Sequence, residues 1–322
     1  MLTSVPNKKD IIAASQRISE HVHSTPVLTS SLLDKKFGAS LYFKCENFQK
    51  AGSFKSRGAV NAILSLQPFQ TKNGVATHSS GNFAQALARS ADMLNIPSYI
   101  VMPKNAPQVK VDAVLGYGGQ ITFCEPNLQA REDTLDKVVG KTKATIIHPY
   151  DDYDIIAGQA TAAMELCAEI EYLDLILCPI GGGGLISGTA LSAIYFGKNI
   201  KVIACEPEGA DDAYRSMAAG EIIPSINPTT IADGLLTSLG ERNFPIIQQY
   251  VDEVVTVSEG SIIAAMRLIY ERLKIVVEPS SAVPLAAILE NKVDVNGLNV
   301  GVIISGGNVD LANFSWFQSN NQ

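Results

Sequence analysis

Lys55 stands in the run KAGSFKSRGAVNA, with Gly52 and Ser53 just behind it and Arg57, Gly58 and Ala59 just ahead. An exposed lysine in a first helical turn does not require such small neighbours, whereas an amine packed against something bulky does. Four consecutive glycines, Gly181, Gly182, Gly183 and Gly184, lie in CPIGGGGLISG between an apolar run and a helical pattern. Backbone N–H groups converging at a helix start suit an anionic phosphate; a merely sharp turn would need only one or two glycines. The spacing is not G-x-G-x-x-G and no G-x-x-x-x-G-K-[ST] occurs, which weakens nicotinamide and P-loop readings.

Two further junctions carry polar groups. THSSGNFAQALA places Ser79, Ser80, Gly81 and Asn82 at a helix start, where they either receive a carboxylate or act as an ordinary N-cap. ISGGNVD ends an apolar run at Ser305 and clears space beside it with Gly306 and Gly307. His21 and His23 could face one way from an extended segment, but no further His, Cys or carboxylate cluster lies near them in the chain.

The elements that must position these groups are legible as periodicities. Runs rich in β-branched residues occur at 41–46, 74–80, 98–103, 120–125, 144–149, 173–180, 201–207, 252–258 and 299–305. Between them NFAQALARSADMLN, QAREDTLDKVVG, GLISGTALSAIYFG and GSIIAAMRLIYERL have helical spacing. Apolar strands alternating with helices predict an α/β fold with parallel-rich sheets covered on both faces. All three polar junctions then fall at the carboxyl ends of strands, where ligands sit in open sheets. At 322 residues two domains are expected. The reading is a small mobile domain over 74–149 and a large domain over 1–70 and 152–322, with the turn-rich HPYDDYDIIAG carrying the chain back across.

Composition excludes some functions. A net charge of −7 leaves no basic stripe for nucleic acid. No secretion signal and no long apolar span is evident, so a soluble, cytoplasmic protein is expected. The five cysteines sit singly without C-x-x-C spacing, which reads as buried thiols in a reducing compartment.

Taken in order, SFKSRGA, SSGN, GGGGL, EP before GADD, IADG, VVEPS and SGGNVD resemble the pyridoxal-phosphate enzymes of the serine racemase and threonine dehydratase family. The likeness spans about residues 10 to 315. It implies the two-domain fold type II (tryptophan synthase β-like), with the cofactor in the interdomain cleft, and a homodimer. By this resemblance Lys55 forms the covalent link to pyridoxal phosphate and later acts as base, Phe54 lies against the ring, and Asn82 bonds the ring hydroxyl. Gly181 to Gly184 cradle the phosphate, and Ser305 meets the pyridine nitrogen. Ser79, Gly81 and Asn82 hold the substrate carboxylate. Arg131 is either a further anion contact or a solvated helical arginine.

The resemblance also bears on the reaction. A hydroxyl rather than a carboxylate at the pyridine nitrogen delocalises a carbanion less, so loss of a β-hydroxyl competes well. Ser80 occupies the position of the racemases' second acid, where threonine dehydratases typically carry alanine; hydroxyaspartate ammonia-lyases share the serine. Phe83 departs from the family's usual histidine and leaves substrate preference open. Within CEPEGADD, Glu206, the Ala210 carbonyl and Asp212 resemble a divalent-cation site for Mg²⁺ or Ca²⁺, against the alternative of a solvated acidic turn. ATP acts as activator in some racemases. The expected function is serine racemase with serine dehydratase activity. The alternative is an L-threonine or L-threo-3-hydroxyaspartate ammonia-lyase; the end of the chain at residue 322 is read against the feedback-controlled threonine enzyme. A nicotinamide-dependent oxidoreductase leaves Lys55 unexplained.

Overall fold

The computed structural model describes residues 1–311; the last part of the expected large domain, 312–322, lies outside the described residues. The strands are β1 (Val27–Leu28), β2 (Ser40–Cys45), β3 (Val75–His78), β4 (Ser98–Pro103), β5 (Gln120–Cys124), β6 (Thr145–Ile146), β7 (Leu175–Pro179), β8 (Lys201–Pro207), β9 (Glu253–Val257) and β10 (Asn299–Ile304). They form a six-stranded sheet, β1-β2-β10-β7-β8-β9, and a four-stranded sheet, β5-β4-β3-β6. Every pairing is parallel except β1 on β2. The expected parallel-rich α/β architecture is therefore present.

Strands β2 to β10 fall on the β-branched runs; central ones such as β7 are buried along their whole length and so apolar throughout, whereas the edge strand β5 is mostly exposed. Strand β1 has no such signature: it is two half-buried residues at the antiparallel edge. The four stretches with helical spacing are the helices Asn82–Met93, Leu128–Thr142, Gly184–Phe196 and Glu259–Leu273. HPYDDYDIIAG departs from its reading as a turn throughout. A helix, Tyr153–Glu169, begins inside it because the Asp152 side chain accepts from the N–H groups of Asp154 and Ile155. All five cysteines are free and buried.

The helix Lys55–Leu64 is pinned unusually firmly. A Cβ on Gly158 would lie 2.6 Å from the Cα of Gly58, so this helix and Tyr153–Glu169 meet backbone to backbone. The guanidinium of Arg57, fully buried, donates to Glu46 at 2.7 Å and to Glu165 at 2.6 Å, and Lys44 donates to Glu165 at 2.6 Å. Removing one member of such a buried set costs about 3–5 kcal/mol, because it strands its partner's charge. The residue two places before Arg57 is thereby held in one position. No helix among the described residues is long and apolar enough to cross a membrane.

Candidate active site between the sheets

Strands β3, β7 and β10 end at His78, Pro179 and Ile304, and the residues that follow them open into one cavity of about 610 Å³. Phe54, Lys55, Ser79, Ser80, Gly81, Asn82, Arg131, Gly181, Gly182, Gly183, Gly184 and Ser305 all line it. Residues more than 200 positions apart in sequence thus share a single space.

Lys55 extends its Nζ into this cavity and donates to the Pro149 carbonyl at 2.9 Å. The rings of Phe54, Phe83 and Tyr150 stand 5.1, 5.8 and 5.9 Å from it. Burial pulls the ammonium down to about 8, with the Glu278 carboxylate pulling the other way. An amine with so little to lose on deprotonation is suited to act as nucleophile and base.

The glycine loop is built for an anion. A Cβ on Gly182 would meet the Tyr150 ring at 2.5 Å, and one on Gly181 would meet the Leu235 backbone at 3.0 Å. Gly183 has φ +98° and begins the helix Gly184–Phe196. Among the described residues, none accepts a backbone hydrogen bond from the N–H groups of Gly181, Gly182 or Gly183. Open donors at a helix N-terminus, with no side chain able to fill the space, fit a phosphate.

The SSGN junction is a second helix start that opens on the cavity. The Ser79 hydroxyl accepts from the Gly81 N–H at 3.3 Å, and Asn82 opens the helix. The Asn82 amide donates to both oxygens of Glu278, and its Oδ1 accepts from Asn308 at 3.0 Å. The remaining lone pair of that oxygen is what a ring hydroxyl could address. On the other side, the Ser305 and Ser281 hydroxyls are 3.0 Å apart, and Ser281 also bonds the Gly306 backbone. Phe83 is buried in an apolar cluster. Arg131 lines the cavity, and its Nε is buried with no hydrogen-bond partner among the described residues.

Several lining residues carried no recognised role in the sequence. Glu278 lay in VVEPS; burial pushes its carboxyl up. Lys110 pairs with Asp233, and Tyr150 covers the glycines. His78 and His148 stack edge to face with ring centroids 6.0 Å apart, and burial holds them down to about 4 and about 3, so both are neutral.

The acidic turn lies outside the cavity lining. Glu206 accepts from the Ala213 and Tyr214 N–H groups at 3.0 Å each. Asp212 is buried; Ser225 and the Leu239 backbone stand close enough to favour its ionised form against burial, but neither meets its oxygens in full hydrogen-bond geometry. Burial pushes Glu206 up to about 8 and Asp212 up to about 6. A buried, incompletely bonded carboxylate beside another fits a cation. Among the described residues no cluster of three or more His, Cys, Asp or Glu could hold a metal, so an ion would need the Ala210 carbonyl and water as well.

The family model described as pyridoxal-phosphate dependent enzyme matches residues 18–306. The chain is 50% identical over 312 residues to a beta-hydroxyaspartate dehydratase of Paracoccus denitrificans, covering 97% of this chain and 99% of that one. It is 50% identical over 313 residues to a serine racemase of Dictyostelium discoideum, covering 95% and 96%. The solved structure of maize serine racemase, 44% identical, superposes with a TM-score of 0.94 over 98% of this chain and 97% of that one.

Proposed function

The chain belongs to the pyridoxal-phosphate dependent enzyme family, and on that premise we propose that it interconverts L- and D-serine and also eliminates water from serine, giving pyruvate and ammonia. The observation that carries this reading is that the Lys55 amine and the Ser80 hydroxyl line the same cavity as the glycine loop.

Pyridoxal phosphate, when bound, withdraws electrons from the α-carbon of an amino acid so that its proton can leave. Lys55 holds the cofactor, and its Nζ, near neutrality, takes the α-proton from one side. The Ser80 hydroxyl delivers or removes a proton at the other. Ser79, Gly81 and Asn82 orient the substrate carboxylate, while Phe54 and Tyr150 wall the site against water. Gly181 to Gly184 receive the phosphate, and Ser305, bonded to Ser281, offers a hydroxyl to the pyridine nitrogen. On the same reading residues 74–149 form the small mobile domain, and 1–70 with 152–322 the large one.

Glu206, Ala210 and Asp212 hold Mg²⁺ or Ca²⁺ in this proposal, supported by the incompletely bonded Asp212 oxygens. ATP activation, a homodimer and a cytoplasmic location rest on resemblance to the racemases.

A second reading is favoured by Arg131. An unpartnered guanidinium nitrogen at the cavity, with an apolar Phe83 nearby, suits a substrate bearing a second carboxylate, which makes an L-threo-3-hydroxyaspartate ammonia-lyase the alternative. Incubation with L-serine, L-threonine and L-threo-3-hydroxyaspartate, followed by chiral analysis and keto acid assay, separates these readings. Deuterated D-serine formed from L-serine in deuterated water supports the first; keto acid from hydroxyaspartate alone supports the second.

A further inference from the structure

We infer that Lys110, held by Asp233 from across the cleft, is a contact for the substrate carboxylate. Lys110 belongs to the helix Gln108–Gly116, which packs on the helix Asn82–Met93, and only 4% of its side chain is exposed. Its stem lies along Gly81: a Cβ there would meet Lys110 Cδ at 2.7 Å and Nζ at 3.1 Å. A side chain in place of Gly81 would therefore have to displace the lysine.

Lys110 Nζ donates to Asp233, which sits in the short turn Asp233–Leu235 on the side of the six-stranded sheet. An ammonium has three donors, and among the described residues Asp233 is the one acceptor bonded to Nζ. Nζ thus lies beside the Gly81 cap of a 12-residue helix, and Lys110, Gly81 and Asn82 all line the cavity. Burial opposes the lysine charge, yet Glu278 and Asp233 together hold it above the ordinary lysine value. A fixed cation with open donors next to a helix N-terminus is a stronger carboxylate site than the backbone alone. Phe83 supplies no polar group at that loop, so Lys110 provides its charge. Asp233 fixes the ammonium by its hydrogen bond. The inference rests on the reading of the cavity as an amino-acid site.

The test uses the holoenzyme and the variants Lys110→Met and Asp233→Asn. Loss of one charged hydrogen bond predicts a rise in KM for L-serine of about tenfold or more in Lys110→Met, with kcat changed less than about threefold. Asp233→Asn should raise KM by about threefold, and the double variant should be no worse than Lys110→Met, since both changes act through one ammonium. Binding is read separately from turnover, by titrating the visible absorbance of the bound cofactor with serinol, which lacks a carboxylate, and malonate, a dicarboxylate without the amine. Malonate should weaken in Lys110→Met while serinol stays within about twofold. Unchanged malonate affinity, or equal loss of serinol, overturns the inference. Should Lys110→Met fail to fold, the Asp233→Asn titration decides by the same two outcomes. Wild-type protein that binds cofactor but turns over no amino acid would defeat the amino-acid reading instead, and the malonate comparison would still judge Lys110.

Discussion

The Asn82 amide donates to both carboxylate oxygens of Glu278, at 2.7 and 2.9 Å, and so joins the first turn of a helix on the four-stranded sheet to the N-cap of the helix Pro279–Leu289 on the six-stranded one. Asn308 donates to the other side of the same amide. The side chain that resemblance assigns to the cofactor ring is thus oriented from two directions before any ligand arrives.

Glu278→Ala should loosen that orientation. It leaves a buried amide donor unpaired, with an expected loss of about 1–3 kcal/mol of stability, and it should weaken cofactor binding. Glu278→Gln keeps one acceptor oxygen and should lose less of both. Urea unfolding and cofactor titration measure the two effects. Wild-type cofactor affinity in Glu278→Ala would show that Asn82 needs no such support.

Lys55 should govern cofactor capture through its own protonation. Only the neutral amine attacks a carbonyl, and burial brings this ammonium down to about 8. Capture of pyridoxal phosphate by the apoprotein should therefore quicken as pH rises through about 8 and level off above it, where an ordinary lysine would still be quickening. Lys55→Ala should never develop the absorbance of a covalently held cofactor. Rates that continue to rise tenfold per pH unit up to pH 10 would place the amine at its ordinary value.

Much of this site was legible because its residue types are locally conspicuous. A run of four glycines, a lysine among small residues and polar strand ends need no tertiary information, and strands buried on both faces announce themselves as unbroken apolar runs. What was not legible is what folding brings together. Lys110 and Asp233 lie 123 positions apart, and nothing in the sequence pairs them. Asn82 and Glu278 are 196 positions apart. His78 and His148 read as strand-end residues, with nothing to announce their stacking. Strand β1 was missed because two edge residues have no period, and the start of Tyr153–Glu169 because its capping aspartate looks like one more turn former.

The acidic turn should respond to cations. With Asp212 buried and incompletely bonded, the metal-free protein carries a polar group that Mg²⁺ or Ca²⁺ would satisfy more fully. Chelation should lower the melting temperature and added cation restore it, as expected for a ligand that binds the folded state alone. Glu206→Ala should melt at the same temperature with and without cation. A wild-type protein indifferent to chelator and cation would make this an ordinary acidic turn.

Ser80 bears the sharpest expectation, because a planar carbanion can be reprotonated from either side and Lys55 can serve only one. Ser80→Ala should keep β-elimination from L-serine, since that route uses the α-proton facing Lys55. It should lose racemisation, together with elimination that begins from D-serine, whose α-proton faces the other way. The two activities should therefore separate, with racemisation falling about a hundredfold or more, within the range general acid–base groups contribute. Ser80 does not cap the helix, whose N-cap is Gly81, and a merely structural role would show the opposite pattern, both activities reduced together. Chiral chromatography after incubation in deuterated water reads the outcome directly. Deuterated D-serine formed from L-serine by Ser80→Ala at the wild-type rate would leave the hydroxyl without a catalytic role and move the assignment toward the ammonia-lyases.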